Sequence, residues 1–150
     1  MKLLATLLLP LSLFCQVPAD LPHTFFGTGA GYSPASVSKA EVSTCLAILV
    51  NQAAGLYSDS CYNSVFYKGV PTVSTETGIM AVLRCIKGVC LMGSGTAGIS
   101  SGTGITGAFS LGGALVWHHK SGFTVVLPMT WDKAGPNNNP VYRLLIGWSW

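Results

Sequence analysis

Charged residues make up only 9% of this 150-residue chain, against roughly 25% in an ordinary soluble domain. The net charge of +3 comes from scattered Lys and Arg. With no basic cluster there is no footprint for nucleic acid. Histidine is scarce too, at His23, His118 and His119. The last two are adjacent, so on a strand they point to opposite faces. No Cys-x-x-Cys pair joins them, and no metal site is expected. The Gly-x-Gly patterns at 93–95 and 102–104 lack the strand-to-helix context of a phosphate loop, so no cofactor is expected either. Long helices are disfavoured as well. The run from Val89 to Trp117 carries no charge and is long enough for a membrane helix. Yet it holds Gly93, Gly95, Gly98, Gly102, Gly104, Gly107, Gly112 and Gly113, each costing about 1 kcal/mol relative to Ala in a helix.

What is abundant is apolar surface, 49% of the residues. The first of it, Leu3 to Phe14 after Lys2 and before Val17-Pro18-Ala19, reads as a secretory signal peptide covering residues 1–19. It is short for a membrane span. Cys15 raises lipidation as an alternative, but Ser12-Leu13-Phe14 before it is a poor processing site. Residues 20–150 form one domain by length. They retain Cys45, Cys61, Cys85 and Cys90. An even number in an exported chain permits two disulfides in three connectivities.

The most patterned stretch is Val141 to Trp150. Tyr142, Leu144, Ile146, Trp148 and Trp150 alternate with Arg143, Leu145, Gly147 and Ser149, the period of a strand with one face in an apolar medium. This stretch resembles the C-terminal assembly signal of bacterial outer-membrane β-barrels, in which alternating apolar residues lead to a terminal Phe or Trp. The resemblance implies export to the periplasm, escort by chaperones, insertion by the barrel-assembly machinery, and outer-membrane lipid around the finished protein. It leaves the oligomeric state open.

Seven further strands are legible upstream. They run over Phe25–Tyr32, Val37–Val50, Leu56–Phe66, Val73–Ile86, Val89–Ile99, Ile105–Trp117 and Phe123–Trp131. Breaks fall at Ser33–Ser36, Asn51–Gly55, Tyr67–Pro71, Lys87-Gly88, Ser100–Gly104, His118–Gly122 and Asp132–Pro140. Most segments approach the 9–11 residues a tilted membrane strand needs. The fold class is therefore all-β, an antiparallel up-and-down transmembrane barrel of about eight strands. Short turns at the terminal end and longer loops at the other are the usual asymmetry.

Pairing the seventh and eighth strands with residue numbers summing to 273 sets Trp131 against Tyr142 and Phe123 against Trp150. Pairing the sixth and seventh with a sum of 240 sets Phe109 against Trp131 and Trp117 against Phe123. One apolar face survives both registers, and a slip of one residue destroys it. Its aromatics sort into a terminal group (Trp117, Phe123, Trp148, Trp150) and a loop-end group (Phe109, Trp131, Tyr142), as membrane strands require at two interfaces. In the fourth strand, Ile79, Ala81 and Leu83 point outward and put Glu76 and Arg84 inside. Closing a hairpin on Lys87-Gly88 opposes Cys85 to Cys90, but then the outward parity carried by Val89 and Leu91 needs a bulge. Cys45 and Cys61 are symmetric about Ala53 and form the second candidate bridge.

The inward parity of the last three strands is small and lightly polar. Arg143, Arg84, Glu76, Asp59 and Glu41 are its candidate lumen charges, with exposed positions near strand ends an equal reading for Glu41 and Asp59. Some small outer-membrane barrels are enzymes acting on lipid A through His, Ser and an acid. Here the histidines fall at the terminal end and Asp59, Glu76 and Asp132 at the loop end, whereas a triad needs them together. No catalytic residues and no enzyme are expected. The reading is a small outer-membrane barrel with a structural, adhesive or minor permeability role. The alternatives are a secreted or periplasmic β-sandwich binding a partner through its loops, and a lipid-modifying barrel enzyme.

Overall fold

The computed structural model describes residues 21–33, 40–51, 54–67, 70–102, 104–134 and 137–150, with backbone alone at 59, 61–67, 70–71, 134 and 137. The expected signal peptide, Cys15, and the breaks at 34–36 and 52–53 lie outside the described residues. Eight strands follow in order: β1 (Thr24–Tyr32), β2 (Ala40–Leu49), β3 (Ala54–Tyr67), β4 (Val70–Ile86), β5 (Val89–Ser101), β6 (Ile105–His118), β7 (Phe123–Ala134) and β8 (Asn137–Ser149). Each pairs antiparallel with the next, and β1 pairs with β8 to close the barrel. The glycine-rich run at 89–117 is β5 and β6, not a helix. A closed sheet also removes the sandwich as an architecture.

Alternation sorts the side chains into two media. On β7, Thr124, Val126, Pro128 and Thr130 are buried while Phe123, Leu127, Met129 and Trp131 are exposed. On β8, Val141, Arg143, Leu145 and Ser149 are buried, and Tyr142, Leu144, Ile146 and Trp148 face out. The large apolar side chains of this protein therefore lie mostly on its outside, the inverse of a soluble domain. Aromatics flank them in two rows. Phe26 faces Trp148 and Trp148 faces Phe123 at the terminal end, where the Trp117 ring meets the Phe123 ring edge-on at 6.2 Å. Tyr32 faces Tyr142 at the other end, near Trp131 and Phe109. Between the rows the exposed residues are mostly aliphatic, with Ile79 70% exposed, and β1, β3 and β4 add Thr28, Ser60, Thr75 and Thr77.

The strand faces agree with the sequence pattern, but the registers differ by two residues. Residues on β6 and β7 pair with a sum of 242 (Trp117 with Val125, Leu111 with Trp131), and β7 and β8 with a sum of 271 (Phe123 with Trp148, Met129 with Tyr142). In the first hairpin the cause is Gly122. Its φ of 95° makes a three-residue turn with a bulge, in which Gly122 N donates to His119 O and His119 N to Phe123 O, both at 2.9 Å. The turn is thus centred on Ser121 rather than on Lys120. In the second, the expected loop Asp132–Pro140 is mostly ladder, with Asp132 paired to Asn139 and Ala134 to Asn137. On the loop side β3 and β4 likewise pair out to Tyr67 and Val70, so strand residues occupy most of both stretches expected as loops.

The bulge needed in β4 is present. Val82 pairs with Met92, but Arg84 pairs with Leu91, leaving one extra residue in β4 at Leu83. Beyond it Cys85 pairs with Cys90 in a disulfide with a Cα–Cα distance of 4.0 Å. The hairpin closes on Lys87 (φ 50°) and Gly88 (φ 82°), the two positive φ values of a type I′ turn. The bulge also corrects Arg84: shifting the parity by one turns its side chain out of the barrel, where it is exposed. Cys45 faces Asp59, and Cys61 faces Ser43, a register two residues from the symmetric one, and the side chain of Cys61 lies outside the described residues.

Candidate functional site in the barrel lumen

An eight-stranded barrel is just wide enough for side chains to fill, so whatever chemistry this chain has inside must be built from inward residues. On the loop side they form an ionic group around Arg143 of β8. Its Nε donates to Glu41 Oε1 of β2 at 2.5 Å, its Nη1 to Thr130 Oγ1 of β7 at 2.8 Å, and its Nη2 to Asp132 Oδ2 of β7. The Arg143 and Glu41 side chains are 3% and 9% exposed. Arg143 and Glu41 sit on strands that do not pair, because β1 lies between them. Both pair with Gly31. That position has no side chain, and a Cβ there would lie 2.6 Å from Glu41 Cγ and Oε1. The missing methyl is the channel through which the ion pair forms.

A second carboxylate, Glu76 of β4, is buried. It accepts through Oε2 from Thr96 Oγ1 of β5 at 2.6 Å and from Ser110 Oγ of β6, and those two hydroxyls are 2.9 Å apart. Two polar groups on opposite walls thus span most of the barrel's circumference. Below them the lumen turns apolar. Leu145, Val82 and Cys45 are at most 1% exposed, and Val126, Met80 and Leu49 pack around them.

The terminal third is looser. A cavity of about 70 Å³ opens from there, walled by Leu49, Tyr57, Met80, Met92, Val116 and Val126 and reaching as far as Thr130. Its polar lining includes His23, His118, Thr124 and Ser149 toward the terminal end. His118 Nδ1 meets Ser149 Oγ at 2.8 Å and Thr124 Oγ1 at 3.1 Å. Those hydroxyls are 2.7 Å apart, and each donates to Gly122 O or to its neighbour. The acids Glu76 and Asp132 engage other partners, so the His118 cluster is a hydroxyl group around an imidazole without a bonded carboxylate among the described residues.

An all-antiparallel closed barrel of eight strands with an apolar outside and a filled inside is the geometry of small membrane barrels. Solved structures share it. The crystal structure of Ail, the attachment invasion locus protein of Yersinia pestis, aligns with a TM-score of 0.60 at 10% identity over 87% of this chain and 100% of that one. The same outer membrane protein in a phospholipid bilayer nanodisc aligns at 0.58 and 12%, with the same coverage. A transmembrane β-barrel designed de novo aligns at 0.54 and 15%, over 87% of this chain and 98% of that one. The likeness is one of fold. No protein-family model and no curated protein matches the chain.

Among the residues singled out from sequence, the structure brings Arg143 to Glu41, and places Glu76 inside with hydroxyl partners. Arg84 stands apart on the outside, and the side chain of Asp59 lies outside the described residues, as does that of Cys61. Cys85 and Cys90 are bonded, and Cys45 is buried. Tyr142, Leu144, Ile146 and Trp148 form the outward face of β8, with Trp150 just beyond its end, where Trp150 and Thr24 exchange backbone hydrogen bonds at 3.0 Å. Sequence reasoning missed Asp132 as a lumen group, because its neighbours Lys133 to Pro140 have the composition of a loop. It set Thr130 on the inward parity of its strand without giving it a partner, and it missed Thr96.

Proposed function

We propose that this chain is a small outer-membrane β-barrel whose role is structural or adhesive. One observation carries the reading: on a barrel with no open edge, the outward face of β6, β7, β8 and β1 is largely apolar and carries an aromatic row near each end. In water such a face is an aggregation surface. In a bilayer it is what a spanning barrel needs. Residues 1–19 direct export, and Tyr142, Leu144, Ile146, Trp148 and Trp150 present the strand that the barrel-assembly machinery reads. The likeness in fold to an attachment protein favours adhesion, through the loop-side end of the barrel. A permeability role fits less well, because the lumen is filled at mid-height by Leu145, Val82 and Cys45.

Fractionation and heat-modifiable migration test this together. The native protein should partition with the outer membrane and run faster unboiled than boiled in a detergent gel. A chain that stays soluble without detergent overturns the proposal.

A further inference from the structure

Beyond an adhesive or structural role, we propose that the terminal third of the lumen is a binding site for a short aliphatic molecule with an oxygen head group. The cavity there is bounded by side chains of two kinds. Met80, Met92, Val116 and Val126 make an apolar wall, and two of the four are methionines, whose unbranched thioethers adapt to varied apolar guests. Toward the terminal end the lining changes to His118, Thr124, Ser149 and His23, with His23 exposed at the surface. An apolar pocket with a few convergent polar groups at one side is the usual form of a small-molecule site.

The head-group chemistry follows from His118. Its Nδ1 is held by the Thr124 and Ser149 hydroxyls at 3.1 and 2.8 Å, which fixes the ring. Its Nε2 has no hydrogen-bond partner among the described residues. By exchange of tautomers that nitrogen donates to a carboxylate or accepts from an alcohol. The tail length follows from volume. A cavity of about 70 Å³ is roughly half the 150 Å³ that admits benzene in an engineered protein core, so it takes on the order of four carbons with the head outside. At its far end the lining reaches Thr130, which already bonds Arg143 of the loop-side ionic group.

The test uses the full chain in phospholipid nanodiscs, free of detergent tails, with the methionine methyl groups labelled for NMR. Hexanoate and hexanol are titrated separately. Saturable shifts of the Met80 and Met92 methyls with either probe are expected, and at least tenfold weaker binding in Ala114→Leu, which fills the cavity from β6. Ala97→Leu, on the exposed face of β5, should bind as the parent does. His118→Phe should weaken whichever probe binds while leaving hexane unaffected. If Ala114→Leu does not fold by heat-modifiable migration, Ala47→Val, which lines the same cavity from β2, replaces it. Shifts that grow linearly with probe, or that persist unchanged in a folded cavity-filling variant, reflect partition into the bilayer and overturn the site. So does the absence of any shift, while loss of the barrel itself would show first in the gel.

Discussion

Replacing Arg143 by Ala is the sharpest perturbation available in the lumen. The guanidinium makes hydrogen bonds to Glu41, Thr130 and Asp132 from a side chain that is 3% exposed. Truncation removes the cation from between two carboxylates whose side chains are 9% and 16% exposed. Breaking a buried pair from one side costs about 3–5 kcal/mol, because the surviving charge loses its compensation in a poorly solvated place. Arg143→Met combined with Glu41→Gln and Asp132→Asn removes both signs and should cost far less than Arg143→Ala alone. Gly31→Ala offers an independent route to the same bond. Its Cβ would lie 2.6 Å from the Glu41 carboxylate, an overpacking of about 1–3 kcal/mol, and part of that cost should vanish when Arg143 is already Ala. Urea titration in phospholipid vesicles, followed by tryptophan fluorescence and by gel shift, measures all of these. Arg84→Ala, on the exposed side of the bulge, serves as the reference and should fall within about 0.5 kcal/mol of the parent. If Arg143→Ala unfolds at the same urea concentration as Arg84→Ala, the ion group does not hold the barrel and the argument fails.

Other outcomes are expected from the same structure. Ile146→Lys, in the aliphatic zone between the rows, should destabilise the inserted barrel by about 2–4 kcal/mol, and Tyr142→Lys, in the loop-end row, by about 1 kcal/mol or less; equal costs in vesicle unfolding would mean the face does not sample membrane depth. Gly122→Ala places a Cβ 2.5 Å from Trp148 Nε1 at φ 95° and should lower stability by about 1–2 kcal/mol from the backbone conformation alone, read in the same titration. Cys85→Ser with Cys90→Ser opens a ring closed over a separation of five residues, and the loop-entropy relation gives a loss of about 2 kcal/mol; non-reducing mass spectrometry of the parent checks the bond. Planar-bilayer recordings of the parent should show no conductance steps, and Leu145→Gly should be the substitution that first introduces them.

The fold was legible because a membrane barrel writes its two environments on alternate residues. Trp148, Ile146 and Leu144 declared the outside of β8 before any partner was known. Register was less legible, since face depends on parity alone and a shift of two residues leaves parity intact. Gly122 made such a shift, and only its positive φ reveals it. Arg84 was misread for the complementary reason: the bulge at Leu83 shifts the chain by one, the smallest change that exchanges inside for outside. The site was half legible. Arg143 and Glu76 stood out as rare charges on inward positions, but the partners that hold them are ordinary hydroxyls, and Asp132 was hidden in a run of Asn, Gly and Pro. Gly31 is a harder case. Nothing local distinguishes it from Gly27 or Gly29, and its role exists only once β8 and β2 have come to lie on either side of it.

That placement bears on time as well as on stability. Arg143 and Glu41 are 102 residues apart, and β1 and β8 must meet before the two side chains can reach each other across Gly31. The pair can form only in a sheet that has already become a ring. Interactions absent from the folding transition state act chiefly on the rate of unfolding, so the pair is expected to leave the speed of insertion unchanged and to slow the reopening of the seam. It is a latch set behind a door that has already swung shut.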